Sequence, residues 1–196
     1  MSADLEDSES TLARSQAARR RRVLDAALVL AQGGGFEAVQ MRDVAAEANV
    51  ALGTVYLYFT SKERLLLEMM VEQLSGLARY VNSHEIPGDT AAQRVCAVLA
   101  RSNAALARYP DVSLAMVRAF GASREENADV VERVSALMNG IITTAIGFEA
   151  QRSTQVARIL TQVWLSSLIG WAGGVDPIGR VDEDLEIASQ LLLPDA

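Results

Sequence analysis

The chain has 196 residues, half of them hydrophobic, a formal net charge of −7, one cysteine and one histidine. That length suits one domain, or a small module on a larger one. Cys96 alone excludes an internal disulfide framework. With His84 as the single histidine, no zinc cluster and no Ser-His-Asp or Cys-His pair can be assembled, so neither an enzyme nor a metal or other cofactor is expected.

Residues 1–17 open with four acids in the first ten positions, are Ser-rich and lack an apolar signal-peptide core, so a disordered acidic tail on a cytoplasmic protein is expected. The first helix is expected from about Arg19 to Gln32, burying Val23, Ala27 and Leu30, with Gly33-Gly34-Gly35 ending it. Two short helices follow, about Met41 to Ala48 and Leu52 to Phe59. Asn49 stands between them, where a short polar residue tolerates the left-handed backbone of a tight turn. The first buries Val44, Ala45 and Ala48; the second turns Val55 and Phe59 inward. At 100° per residue Gly53 and Leu57 then point away from the core, flanked by Thr54, Tyr56 and Tyr58. That outer face suits the major groove of DNA better than it suits water.

Further along, Thr60 and Glu63 have capping-box spacing ahead of a long helix carrying Leu66, Met69, Met70, Leu74 and Leu77 to about Asn82. Thr90 and Gln93 repeat the spacing for a fifth helix with Val95, Val98, Leu99 and Leu106. Pro110 opens a sixth, ending near Phe120. Ser123 and Glu126 cap a seventh, whose face is Val130, Val134, Leu137, Met138 and Ile141. The eighth, about Thr154 to Gly173, is apolar nearly all round. Residues 159–175 lack charge but fall short of the ~20 apolar residues of a membrane span, so burial in protein is expected instead. After a break at Asp176 to Gly179, a ninth helix opens with the acidic turn Asp182 to Glu186 and ends in three leucines.

Charge is unevenly spread. Residues 11–64 carry eight bases against five acids, whereas residues 65–196 carry ten against sixteen. The only net-positive block holds the two short helices, as expected when one module faces phosphates.

The stretch from Arg19–Gln32 through Gly35-Phe36, Arg42 to Ala45, Ala48 to Val50 and Gly53 to Phe59, ending in Ser61-Lys62-Glu63, resembles the helix-turn-helix of the TetR family of transcriptional repressors. Glu37 to Ala45 and Val156 to Trp171 look most like the KstR-like repressors of sterol catabolism. The resemblance implies an all-α fold: an N-terminal three-helix helix-turn-helix domain (18–64) and a C-terminal helical ligand-binding and dimerisation domain (65–196). It implies a homodimer on a palindromic operator in double-stranded DNA.

The resemblance assigns Lys62, Tyr56 and Tyr58 to phosphates. Gly53 permits close backbone approach, and Thr54 offers a hydroxyl or methyl. Leu57 and Leu52 offer only apolar contact, such as to a thymine methyl. Arg42 is then the main hydrogen-bonding candidate, with Met41 beside it. Gln40 and Ala51 stand where relatives carry better helix caps. The Arg19 to Arg22 run is equally compatible with a solvated helix start and with backbone contact.

In the second domain the resemblance implies an effector pocket. Candidates between helices five to eight are Asn103, Leu106, Met116, Phe120, Met138, Ile141, Ile142, Trp164 and Leu168. A lining this apolar suits a hydrophobic effector, and the KstR likeness suggests a sterol-like or acyl-CoA molecule. Helices eight and nine offer a dimer stripe of Ile159, Val163, Leu168, Trp171, Leu185, Ala188 and Leu192. Two other readings fit the residues: a DNA-binding regulator without a small-molecule switch, and a helical protein-interaction module with no DNA role.

Overall fold

In the computed structural model the backbone is described over residues 2–147 and 151–193, and side chains over 13–147 and 151–193. Among the described residues all regular structure is helical: α1 (Ser2–Ala38), α2 (Met41–Glu47), α3 (Leu52–Tyr58), α4 (Lys62–Ser83), α5 (Ala91–Arg108), α6 (Pro110–Gly121), α7 (Ala128–Ile146), α8 (Gln151–Ala172) and α9 (Ile178–Leu192). A short 3₁₀ turn, Glu125–Asn127, leads into α7.

The backbone is helical from Ser2, where an unstructured acidic tail was expected; residue 1 and the side chains of 2–12 lie outside the described residues. No proline or glycine occurs before Gly33, and Ala, Leu, Glu, Gln and Arg are good helix formers, so local propensity carries α1 back through the acidic start. The glycine triplet does interrupt α1, with Gly34 and Gly35 non-helical and Gly35 at φ 62°. Lys62 holds the segment beyond the break: its ammonium donates to the Phe36 carbonyl at 3.3 Å and lies 3.9 Å from the Phe36 ring centroid.

The turn between α2 and α3 forms as expected. Asn49 sits at φ 51°, and the Val50 N–H closes on the Ala45 carbonyl at 3.0 Å. Val44, Ala45, Ala48, Val55 and Phe59 are buried beneath these helices, against Val23, Ala26 and Ala27 of α1.

The helix starts follow the expected logic with three shifts. Thr90 and Gln93 form the complete reciprocal box at α5. At α4 the cap is Ser61 rather than Thr60, its hydroxyl accepting from the Arg64 N–H at 3.1 Å. Ser123 does not cap α7; its hydroxyl donates to the Ala119 carbonyl at the end of α6, and the 3₁₀ turn intervenes. α9 likewise begins at Ile178, one turn before the acidic residues, because Pro177 supplies the extended entry.

α4 packs along α7, α6 and α1, while α8 and α9 lie together and α9 reaches α5. Charged groups pin the joints. Glu68 of α4, 5% exposed, accepts from Arg20 of α1 at 2.7 Å and from Arg133 of α7 at 2.8 Å. Arg64 grips Asp129 through two parallel bonds of 2.9 and 2.8 Å. Arg94 of α5 closes the end of α7, donating to the carbonyls of Ala145 and Ile146. Gly88, at φ 133°, packs so closely on the Arg94 backbone that a Cβ would fall 2.7 Å from its nitrogen.

Candidate functional site

α3 lies on the surface with one side buried. Val55 and the following Phe59 point in, while Leu57 is 78% exposed and Tyr56 49% exposed. Leu52 and Gly53 are exposed, and a Cβ at Gly53 would meet nothing, so the backbone there is open to close approach. Thr54 and Tyr58 are half-buried on the flanks, the Tyr58 ring 6.3 Å from Phe59. The side chains of Gln40 and Ala51 make no cap bond, so no capping side chain occupies the first turns of α2 and α3. Between them is a surface crevice of about 430 Å³ lined by Gln40, Arg42, Asp43, Leu52 and Tyr56, with Met41 at its base. Arg42 is exposed and has no side-chain partner among the described residues.

Two expectations change here. Met41 is buried, 9% exposed, as part of the hydrophobic core; its side chain is withdrawn from the DNA-facing set, leaving its backbone N–H. Within the arginine run, Arg20 is committed to Glu68 and Glu72, and Arg21 to Asp25. Arg19 and Arg22 remain exposed.

The expected pocket residues separate. Trp164 and Leu106 line a cavity of about 170 Å³, whose other wall is α4 through Met70, Leu74, Leu77 and Tyr80, with Arg101 stacked 3.9 Å over the Tyr80 ring. Met116 faces a different cavity beside α1, and Ile141 a groove between α4 and α7. Met138, Ile142 and Leu168 are close-packed core, and Phe120 is half-buried against it. Asn103 is 1% exposed and fully engaged: it accepts from the Trp164 indole at 3.1 Å and donates to Asp182 at 2.7 Å. The cavity thus lies against α4 rather than wholly within helices five to eight. The Met70, Leu74, Leu77 stripe of α4, with the spacing i, i+4, i+7, is not among the pocket residues expected from the sequence.

On α8 and α9 the structure separates two apolar faces. Val181, Leu185 and Ser189 turn inward, and Leu185 is 2% exposed, so it leaves the dimer set. Leu168, 1% exposed, leaves it too. Ile159 is exposed, and Val163, Trp171, Ala188 and Leu192 are half-buried. Three residues absent from the expected stripe complete the outer face: Ile169, Ile187 at 57% and Leu191 at 76% exposure.

The Arg64 guanidinium holds the Asp129 carboxyl below the usual carboxylate range, and Asp129 in turn raises Arg64. Burial pushes the half-buried Cys96 thiol up, away from reactive thiolate character. Among the described residues there is no group of three or more potential metal ligands, and no helix is long and apolar enough to cross a membrane.

A surface helix-turn-helix ahead of a helical core defines a class of DNA-binding regulators, and the chain belongs to one family of it. Residues 23–69 match the model of the bacterial regulatory proteins of the tetR family, and residues 88–192 match the tetracyclin repressor-like C-terminal domain. It is a DNA-binding transcriptional repressor of the TetR family and not an enzyme. Within that family it is KstR-like: it is 36% identical over 189 residues to the HTH-type transcriptional repressor KstR of Mycolicibacterium smegmatis, covering 95% of this chain and 93% of that one. A TetR transcriptional regulator from Rhodococcus sp. RHA1 superposes with a TM-score of 0.81 at 31% identity, over 92% of this chain and 97% of that one. The Thermus thermophilus repressor FadR, solved with lauroyl-CoA, shares the fold with a TM-score of 0.68 at 22% identity, over 88% and 92%.

Proposed function

We propose that the protein acts as a homodimer that holds a two-fold symmetric operator through α2 and α3 and releases it when a hydrophobic effector, sterol-like or an acyl-CoA, enters the core. The observation that carries the DNA-facing part is the α3 surface. A seven-residue helix that leaves Leu57, Tyr56 and the bare Gly53 in solvent has no reason within the subunit to do so. Leu57, Thr54 and Arg42 read bases, while Tyr56, Tyr58, Lys62 and the first-turn N–H groups of α2 contact phosphates. One Lys62 proton is directed at Phe36, which leaves two donors for DNA.

The working division is 18–64 for DNA and 65–196 for effector and dimer, with the outer face of α8 and α9 joining two copies. KstR likeness and the lauroyl-CoA of FadR support the effector class. The cavity beside Trp164, at about 170 Å³, is below the ~300–1,000 Å³ of ordinary ligand sites, so the effector must widen it. That widening is the physical source of release: a ligand shifts the equilibrium only by its preference for the opened state. The same small volume favours, as a second reading, a repressor without a small-molecule switch.

Selection from random DNA fragments tests the core of the proposal. One palindrome is the expected result, and recovery of no common sequence would overturn it. Thermal stabilisation by sterol-like or acyl-CoA compounds, and by no sugar or nucleotide, separates the two readings.

A further inference from the structure

A larger cavity, about 370 Å³, lies where α1, α4 and α6 meet. Leu24 and Leu28 of α1, Met69 of α4, and Val112 and Met116 of α6 form its apolar floor. Its volume falls within the range of small-molecule sites. Gln73, on the surface of α4, stands between it and the smaller cavity beside Trp164.

The polar rim is asymmetric. Asp25 is held by Arg21 at 2.8 Å and Glu72 by Arg20 at 3.2 Å, so both carboxylates at the wall are already neutralised. Ser113 donates to the Leu106 carbonyl. The exposed Arg79 has no side-chain partner among the described residues, and Tyr109 stands exposed in the same wall. A guanidinium presents its donors in a fork that matches a carboxylate, and here it does so at the edge of an apolar floor.

We propose that this cavity is a second small-molecule site, for a compact amphiphile with one carboxylate: the apolar body lies on Leu24, Leu28, Met69 and Met116 and the carboxylate pairs with Arg79. The site is independent of the effector cavity proposed above. Its occupant touches α1, α4 and α6 together. Because Glu72 in its wall shares Arg20 with Glu68, occupancy bears on how α1 is held against α4.

The test uses the full-length protein with decanoate and decanol as probes in titration calorimetry. Decanoate should bind the unchanged protein more tightly than decanol. Arg79→Gln, at an exposed position, should weaken decanoate roughly tenfold or more and leave decanol unchanged. Leu28→Trp, which fills the floor from a half-buried position, should abolish binding of both. Leu77→Trp, which fills the other cavity, should leave both intact. Melting curves of the three variants establish that each is folded. Absence of decanoate binding, equal binding by Arg79→Gln, or loss through Leu77→Trp in place of Leu28→Trp would each overturn the site, whereas sterol-like ligands acting on the Trp164 cavity would be unaffected by any of these results.

Discussion

Arg20 and Glu68 meet at 2.7 Å across the boundary between α1 and α4, and Arg133 reaches the same carboxylate from α7. The Glu68 side chain is 7% exposed, while Arg20 and Arg133 keep 33% and 50% of theirs in solvent. The cost of disrupting this joint is therefore lopsided. Arg133→Ala alone leaves Glu68 paired and should cost under about 1 kcal/mol. Arg20→Ala with Arg133→Ala strands a buried carboxylate and should cost about 3–5 kcal/mol, and adding Glu68→Leu should recover most of it. Urea denaturation of the four proteins measures the series.

The Asp129–Arg64 pair makes a pH signature. Its carboxyl titrates below the ordinary value because the Arg64 guanidinium favours the charged form. A folded value below the unfolded ~3.9 means that the pair's stabilisation is fully present above about pH 4 and is lost as pH falls through the folded value. Asp129→Asn should thus lower the urea midpoint at neutral pH, and the gap to the unchanged protein should close in acid. A gap independent of pH would show that the pair does not contribute through its charge.

DNA binding should depend steeply on salt. With roughly 6–10 phosphates neutralised, going from 50 to 200 mM salt should cost ~10³–10⁵ in affinity, and Lys62→Ala should flatten that slope. Arg42→Ala and Leu57→Ala should instead change which bases are preferred, at ~1–3 kcal/mol per lost contact. Operator selection repeated on both variants is the measurement; unchanged preferences would move base readout elsewhere.

The two faces of α9 predict opposite failures. Leu191→Glu, on the outside, should give folded monomers in sedimentation. Leu185→Glu, on the inside, should unfold the subunit, as should Leu168→Glu. A folded dimer carrying Leu191→Glu would place the joint between copies on some other surface.

Trp164→Ala should abolish stabilisation by sterol-like or acyl-CoA compounds and cost about 3–5 kcal/mol of stability, since the ring is 1% exposed. Asn103→Leu should act more gently, by about 1–3 kcal/mol, through the orphaned indole N–H. Melting curves with and without ligand separate the two effects.

Most of the architecture was legible because helix signals are local. Asn49 announced its left-handed turn, and Thr90 with Gln93 its capping box. The period of Val44, Ala45, Ala48, Val55 and Phe59 placed the inner side of both short helices. What escaped was decided by neighbours. Thr60 and Ser61 are both able to cap, and the fold uses the second. Met41 reads as a surface residue, yet in the fold it joins the buried core. On α9, Leu185 and Leu191 are chemically alike, and only the position of α8 and α5 tells which is inside. The cavities eluded the sequence for the same reason: a space is defined by what does not fill it, and the pocket expected between helices five to eight leaves out the α4 wall.

α9 offers Leu191 and Ile187 to solvent while Leu185 and Val181 anchor it to its own subunit, and on the proposed dimer a second copy would cover that outer face. The DNA-competent form is then set by mass action. The melting temperature should rise with protein concentration, and dilution alone should weaken operator binding. On that arrangement the abundance of the protein would become a signal in its own right, read by the outer faces of α8 and α9.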